Sequence, residues 1–357
     1  MLPMDPKQRL CVRSTAEMTV EELTHLRTFL ESSEAIGKYE WENRPKRGGV
    51  IFRFVPLLLL YILMESRKST YRGIVKNLTD DDCMRLGLVD GKGRPRRPSA
   101  PTLNGFVNGH LPKIIDRISG ETVSVILRTS SKLIITVDST PAQASRYNYD
   151  ADYDPYYEIR MDKCHMLMVN GYPLFMIQSS GNAHDNPFAE PLIRMLSGYD
   201  LAGKEIEIYV DGGYDAFLTY AVAYMVTGRV MRCNQRTDAV YSGTDDEKIL
   251  AEYNNMWKLK GYDPHKKNDI GFMLRFLFRG GEQELVGKYL RDRSMDLEKE
   301  ESRPSVRFVC ETMHRSMKRW IELNIFRLRK ATKELRMKCR FLCVQMLSLL
   351  FRGYLET

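Results

Sequence analysis

The sequence lacks cysteines at the paired spacings that are typical of metal or redox sites. Its seven cysteines are odd in number, lie far apart and include no Cys-x2-Cys pair. This spacing argues against a zinc ribbon and against a thioredoxin-type redox site. Scattered single thiols are typical of a reduced, intracellular setting, which we therefore expect. The positions are Cys11, Cys83, Cys164, Cys233, Cys310, Cys339 and Cys343.

Long apolar runs are also missing. The two most apolar stretches, residues 54–64 and 341–351, are much shorter than the ~20 residues that a membrane span needs. We predict that both are buried helices and that the protein has no membrane partner. The first residues of the chain mix charged and apolar positions, so we expect no signal peptide and a cytoplasmic location. There is no internal repeat and no low-complexity tract.

Acidic residues are outnumbered by basic ones. The chain has 54 Lys and Arg against 46 Asp and Glu, a formal net charge of +8, and its isoelectric point is near 9.0. A basic soluble protein often binds a polyanion, most commonly nucleic acid. Charge alone is equally compatible with a solvated basic surface that has no partner.

Residues 1–125 have the apolar spacing of helices, interrupted by basic loops. Thr79, followed by three aspartates, is a helix start signal. The loop at residues 91–101 is rich in Gly, Pro and Arg, which predicts irregular structure. Short helices with basic loops indicate a DNA-binding domain, and a generic helical bundle is the alternative. The DNA-binding candidates in this loop are Arg94, Arg96 and Arg97.

From residue 132 the pattern changes to short segments rich in β-branched residues, typical of buried strands. Asn170-Gly171 between two such segments is a strong hairpin signal. The order of three strands, helix, strand, helix, strand predicts an α/β fold with a ribonuclease H-like mixed five-stranded sheet flanked by helices. The predicted strands are 133–137, 159–169, 172–178, 205–210 and 229–232, and the helices are 186–196 and 214–226.

Residues 236–302 are polar and irregular, and we interpret them as an insertion. Within it a strand pair is predicted near residues 270–278, with Gly280-Gly281 as its turn. A long helix is predicted to follow at residues 305–329. The predicted domains are a helical N-terminal domain at 1–125, the sheet domain with its insertion at 126–335, and a C-terminal helix at 336–357.

Two aspartates follow predicted strands. Asp138 comes after the first strand and Asp211 after the fourth. These strands are neighbours in the predicted order, and sites in open α/β sheets lie at strand ends. Converging carboxylates repel each other, so a bound divalent cation is a natural reason to hold them together. For either aspartate alone, a turn or helix cap is the commoner role.

The long helix at 305–329 supplies a third acid. Arg307, Glu311 and Lys318 fall on one narrow face of this helix because each residue advances the helix by about 100°. An ordinary ion pair between Arg307 and Glu311 is one interpretation. The other is a metal-binding carboxylate flanked by two cations that contact phosphate.

These residues resemble the DDE transposases of bacterial and archaeal insertion sequences, whose signature around the catalytic Glu is Tyr-x2-Arg-x3-Glu-x6-Lys. Arg307, Glu311 and Lys318 match that spacing, and Pro304 stands where the family has Tyr. The segments 135–140 and 210–215 are similar to the family's two Asp blocks. The resemblance covers about residues 50–330. Lesser matches are Lys163, His165, Gly171, Pro173, Leu174, His184 and Asp185.

The resemblance implies an enzyme that cuts DNA at the ends of a mobile element and joins the 3′ ends to target DNA. It implies Asp138, Asp211 and Glu311 as catalytic residues that hold two Mg²⁺ or Mn²⁺ ions. Arg307 and Lys318 would contact backbone phosphate. The implied partners are double-stranded DNA and a second copy of the chain, as a homodimer on DNA. The family also carries a β-rich insertion between the second Asp and the Glu.

Two rival hypotheses come from other classes. One is a ribonuclease H-like nuclease that hydrolyses strands and never joins them. The other is a DNA-binding protein descended from a transposase that has lost catalysis. The complete set of three acids favours an enzyme, and the retained Arg307 and Lys318 favour a transposase over a plain nuclease.

Overall fold

The computed structural model describes residues 19–43, 52–144, 151–155, 158–235, 239–257, 267–299, 306, 308–311 and 330–351. The chain forms two compact units. One comprises Met1–Arg128, Ala142–Met161 and Arg315–Thr357, and the other comprises Thr129–Pro141 and Asp162–His314. The domain boundaries predicted from the sequence stay predictions.

The first unit is mainly helical in its described part. The predicted apolar helix is confirmed as α3, whose thirteen residues are all buried because nearly every one is apolar. Thr79 starts α5 as predicted, since its side chain and that of Asp82 form a capping box. Its helices are α1 (Leu23–Glu31), α2 (Glu34–Glu42), α3 (Phe54–Ser66), α4 (Tyr71–Lys76), α5 (Asp80–Leu86), α6 (Ala100–Gly105), α7 (Ile115–Thr129) and a C-terminal helix (Lys330–Phe351).

The C-terminal helix begins earlier than predicted, at Lys330. Its apolar stretch is buried, and so are Cys339 and Cys343, which lie one turn apart on it. None of the helices in the described residues is long and apolar enough to cross a membrane.

The strands form a mixed six-stranded sheet flanked by helices, so the protein is α/β. The strands lie in the order β2-β3-β1-β5-β6, and β4 pairs with β3. The sequence predicted five strands; β2 is the additional one, only three residues long. The strands are β1 (Lys132–Gln143), β2 (Asp152–Asp154), β3 (Ile159–Val169), β4 (Tyr172–Ser180), β5 (Glu205–Val210) and β6 (Arg232–Cys233).

Pairing directions explain why the sheet is mixed. β2 and β4 run antiparallel to β3, whereas β5 runs parallel to both β1 and β6. The predicted hairpin is confirmed: Asn170 and Gly171 join β3 to β4 with φ angles of 52° and 79°. Positive φ at both central residues gives the twist that a tight hairpin needs.

Two helices follow strands as predicted, α8 (Asn186–Met195) and α9 (Phe217–Thr227). α9 begins three residues later than predicted, because Gly212–Tyr214 form a 3-10 turn after β5. β6 was predicted at residues 229–232 and is confined to Arg232–Cys233, where it pairs with the last two residues of β5.

The insertion is helical in its described residues, so the predicted β-rich segment is wrong. It forms α10 (Asp246–Trp257), α11 (Lys267–Arg279) and α12 (Gln283–Glu298). Met273, Leu274 and Leu277 are buried at helical spacing. The Gly280-Gly281 pair ends α11 instead of turning a hairpin. Gly280 donates its backbone N–H to the Phe276 carbonyl, and Gly281 has a φ of +105°.

Candidate active site

Asp138 and Asp211 are brought side by side by the pairing of β1 with β5. The last paired residues of the two strands are Val137 and Val210, and each aspartate is the next residue along its chain. Both aspartates are half-buried. The two aspartates therefore follow neighbouring strand positions, as the strand order predicted. One detail is corrected: Asp138 does not end its strand, because β1 continues to Gln143 after its pairing with β5 has stopped.

The surroundings of Asp211 are built by β6. The Cys233 thiol donates to the Asp211 carbonyl at 3.7 Å, and the Asn234 amide donates to the Asp211 carboxylate at 3.4 Å. A Cβ on Gly212 would overlap the Asn234 carbonyl oxygen. The two chain segments approach so closely here that only glycine fits. On the other strand, the Asp138 carboxylate accepts the backbone N–H of Ser139 at 2.8 Å.

Glu311 belongs to a helical segment packed on the same two strands. In this segment, described at residues 306 and 308–311, the buried Val306, Val309 and Cys310 cluster with Tyr209 of β5, and Ile134 of β1 packs against them. Glu311 itself is exposed. Burying one face of a helix while exposing a carboxylate is what the amphipathic pattern predicts.

The charges of the three acids all act on one buried thiol, that of Cys310. Burial raises the pKa of Cys310, and the negative charges of Asp138, Asp211 and Glu311 raise it further. The thiol therefore stays neutral at physiological pH. Within the described residues, no group of three or more His, Cys, Asp or Glu side chains is gathered closely enough to hold a metal ion.

A second polar cluster lies beside the aspartates. His165 is fully buried, stacks on Phe188 with ring centroids 4.0 Å apart, and lies 3.8 Å from the Asp185 carboxylate. Lys163 donates to the Ala183 carbonyl at 3.0 Å and approaches Asp185 at 3.4 Å. The lesser motif residues Lys163, His165 and Asp185 are thus in one place.

Tyr214 connects this cluster to the two aspartates. Its hydroxyl shares a hydrogen bond with His165 Nδ1 at 3.1 Å. Burial raises the pKa of Tyr214, and Asp185, Asp138 and Asp211 raise it further, while a side-chain hydrogen bond to Ser139 opposes them. Sequence reasoning placed Tyr214 at the start of a helix and gave it no function. The sequence feature that could have identified Tyr214 as a site residue is its position in the Asp-Gly-Gly-Tyr-Asp segment.

The insertion also reaches this region. Arg291 of α12 grips the carboxylate of Asp215, with Nε 3.0 Å from one oxygen and Nη2 3.1 Å from the other. The Tyr220 hydroxyl donates to the same carboxylate at 2.9 Å. Such a bidentate pair fixes geometry as well as charge. Sequence reasoning missed Arg291, because nothing in the local pattern around it marks a partner 76 residues away.

The remaining site predictions divide into two groups. Arg307 and Lys318 lie outside the described residues. Arg94, Arg96 and Arg97 are exposed on a folded loop of the helical unit. The loop is held by the Arg96 backbone N–H, which donates to Leu88. Arg97 also pairs with Asp80 at 3.2 Å.

The chain matches no model of a known protein family and no curated protein sequence. Its function must therefore be argued from the geometry of the site.

Proposed function

We propose that this protein is a DDE transposase that cleaves DNA at the ends of a mobile element and joins the 3′ ends to target DNA. One observation carries the proposal. Asp138 and Asp211 follow paired residues of adjacent parallel strands, and the helical segment of Glu311 packs on those strands. Two acids at adjacent strand positions, with a third on the segment packed against the same strands, support the proposal.

The strand order supports the finer fold assignment. Without the short β2, the sheet reads β4-β3-β1-β5-β6, with β1, β5 and β6 parallel. This is the order expected for a ribonuclease H-like domain, and the insertion follows β6 as the resemblance implies. The helical character of the insertion departs from the β-rich insertion of the family. The proposal therefore depends on the acids and the sheet and not on the insertion.

The donor set fits a hard divalent cation. Carboxylate oxygens are the ligands that Mg²⁺ and Mn²⁺ prefer, and Asp138, Asp211 and Glu311 would hold two such ions. When bound, the ions supply activation of the attacking oxygen and stabilisation of the leaving one. The protein contributes the rest: Cys233 of β6 and the next residue, Asn234, donate to Asp211, and Tyr214 is hydrogen-bonded to His165.

The proposed reaction has two steps. Water attacks the phosphodiester at the element's end, and the bond to O3′ breaks to leave a 3′-hydroxyl. That hydroxyl then attacks a phosphodiester of the target, so the element becomes joined and one target strand is broken. Arg307 and Lys318 are proposed to hold backbone phosphate, and the helical unit is proposed to bind the element's ends. A homodimer would bring two ends together.

The test uses a linear duplex that carries the DNA flanking the gene, a target plasmid and Mg²⁺. Separate variants Asp138→Asn, Asp211→Asn and Glu311→Gln should each lower strand cleavage by more than about 100-fold, since even outer-shell partners of a metal typically cost 10–100-fold. Glu247→Gln, an exposed acid of α10, is the isosteric control and should retain full activity.

Product analysis separates the rival functions. Recovery of element ends joined to the plasmid supports the transposase, whereas cleavage without joining identifies a nuclease. A wild-type protein that binds the flanking DNA and leaves it uncut in both Mg²⁺ and Mn²⁺ would refute an active enzyme. Appreciable cleavage by one acid variant would remove that residue from the site.

A further inference from the structure

A groove-like cavity of about 1170 Å³ lies in the helical unit. It is bordered by the second half of α2, the start of α3, the basic loop before α6, and α6 with the helical turn that follows it. A site for one small molecule usually measures roughly 300–1,000 Å³, so this cavity has room for a longer occupant. The proposed function assigns DNA to the helical unit but gives this cavity no role.

The charge of the lining favours an anion. Among the described residues that line the cavity, three are arginines and one is a carboxylate. The carboxylate, Glu40, already accepts the Phe54 backbone N–H at 2.6 Å and lies 3.4 Å from Arg53. Arg97 pairs with an acid outside the lining, whereas Arg96 is exposed and has no carboxylate at ion-pair distance in the described part of the chain. Even with that outside acid counted, arginines outnumber carboxylates by three to two.

The floor of the cavity is aromatic. The buried Phe54 ring lies edge-on to the buried rings of Tyr39 and Phe106, with centroids 5.6 and 4.8 Å apart. The Tyr39 hydroxyl shares a hydrogen bond with Nδ1 of His110 at 2.9 Å, which holds that exposed imidazole at the rim. Edge-to-face contacts and this hydrogen bond fix the positions of the rings, so the floor is ordered.

Trp41 lies at the edge of this aromatic floor. It belongs to the last turn of α2, lines the cavity and has 64% of its surface exposed. An exposed aromatic ring beside guanidinium groups is the combination with which proteins hold single-stranded nucleic acid, because bases stack on the ring while cations follow the backbone. The bases of a duplex already stack on one another, so unpaired nucleotides are the ones that can use such a ring.

We propose that this cavity binds unpaired nucleotides of a DNA strand. A base stacks on Trp41, and Arg96 donates hydrogen bonds to a neighbouring phosphate. Gly37 and Gly105 keep the cavity open, since no atom lies within 4 Å of the place where either would carry a Cβ. The inference rests on the proposed function for one point, the identity of the nucleic acid as DNA.

Binding is measured by fluorescence anisotropy on the full chain at low ionic strength, in EDTA so that no metal-dependent cleavage occurs. The probe is a labelled twelve-nucleotide oligothymidylate. An abasic strand of the same length carries the phosphates without the bases, and a blunt duplex of twelve base pairs carries bases that are already stacked. We expect saturable binding of the oligothymidylate, with the abasic strand at least about tenfold weaker.

Three variants connect this binding to the cavity. Trp41→Ala should weaken binding of the oligothymidylate by about fivefold or more and leave the abasic strand and the duplex unaffected, whereas Trp41→Phe should retain most of the affinity. Gly105→Leu should also weaken it by about fivefold or more, because the new side chain occupies the open space. Arg96→Gln should weaken the oligothymidylate and the abasic strand by the same factor, since it removes a phosphate contact.

Two matched controls should bind all three probes like the wild type. Tyr153→Ala removes an aromatic ring that is 53% exposed and does not line the cavity. Gly109→Leu adds the same side chain as Gly105→Leu at an exposed glycine that also has open space around it but lies outside the lining.

Several results would overturn the proposal: no binding of the oligothymidylate by the wild type, equal binding of the abasic strand, or unchanged binding by Trp41→Ala and Gly105→Leu. An equal loss of duplex binding in Trp41→Ala would assign the ring to paired DNA and would also overturn it. These measurements are independent of strand cleavage. Cleavage and joining without Trp41-dependent binding would refute this inference alone, and the reverse outcome would refute the transposase alone.

Discussion

At the residue scale, the environment of His165 determines its charge. Burial lowers the pKa of His165 to about 4, and Lys163 lowers it as well, while the Asp185 carboxylate opposes them. The ring is therefore neutral at physiological pH, and its two nitrogens share hydrogen bonds with the hydroxyls of Tyr214 and Ser179. A neutral imidazole can hold Tyr214 in place through a hydrogen bond, but it has no positive charge with which to bind phosphate.

This lowered pKa predicts a pH dependence of stability. The unfolded chain binds a proton at His165 near the ordinary pKa of 6.5, whereas the folded chain binds it only near pH 4. The buried, neutral His165 therefore makes its full contribution to the free energy of unfolding above pH 6.5. This contribution, on the order of 3 kcal/mol, is lost as the pH falls to about 4. His165→Gln should flatten the wild-type curve of unfolding free energy in this window.

Urea denaturation at a series of pH values between 4 and 7.5 measures the effect as the difference between wild type and variant, which removes the contribution of the carboxylates. A variant whose stability falls as steeply as that of the wild type would show that His165 titrates normally in the folded protein.

At the element scale, the crossing of α9 and α12 depends on one glycine. The two helices pack against each other, and a Cβ at Gly287 of α12 would overlap the backbone carbonyl of Phe217, the first residue of α9. Backbone atoms at a helix crossing cannot move aside without separating the helices. Because α12 also positions Arg291 on Asp215, this contact bears on the candidate active site.

Gly287→Ala should therefore destabilise the protein by about 1–3 kcal/mol through overpacking, although alanine favours a helix by about 1 kcal/mol. Gly37→Ala is the matched control, because Gly37 lies inside α2 with nothing within 4 Å of the position of a Cβ. That variant should gain up to about 1 kcal/mol. Urea midpoints compare the two; equal stabilisation by both substitutions would contradict the close contact at Gly287.

At the scale of the whole molecule, the net charge of +8 supports the proposed binding to DNA. Each phosphate contact contributes about 0.9 to the slope of log affinity against log salt concentration. If Arg94 and Arg96 both contact phosphate, the double variant Arg94→Gln, Arg96→Gln should lower that slope by about two. Binding of the full chain to duplex DNA is measured by fluorescence anisotropy across a salt series.

Lys38→Gln combined with Lys288→Gln removes the same charge from α2 and α12 and serves as the control, with an expected change in slope near zero. An unchanged slope for the arginine variant would assign DNA contact to other residues. Equal changes in both double variants would indicate a response to net charge alone.

The sequence by itself determined the elements whose signals are local and strong. The apolar run of α3, the capping residue Thr79 and the Asn170-Gly171 hairpin each act through neighbouring residues, and all three are present as predicted. The proximity of Asp138 and Asp211 was predictable because it follows from strand order alone. The coarse α/β class was predictable for the same reason.

Only the tertiary structure decided the rest. The segment at 270–278 is short and apolar and ends in two glycines, a pattern that fits a hairpin or a helix equally, and its packing against α10 and α12 made it helix α11. The ion pairs of Arg291 with Asp215 and of Arg232 with Glu298 join residues more than sixty positions apart. Such contacts form only when separate elements pack together, so the local spacing of residues in the sequence does not predict them.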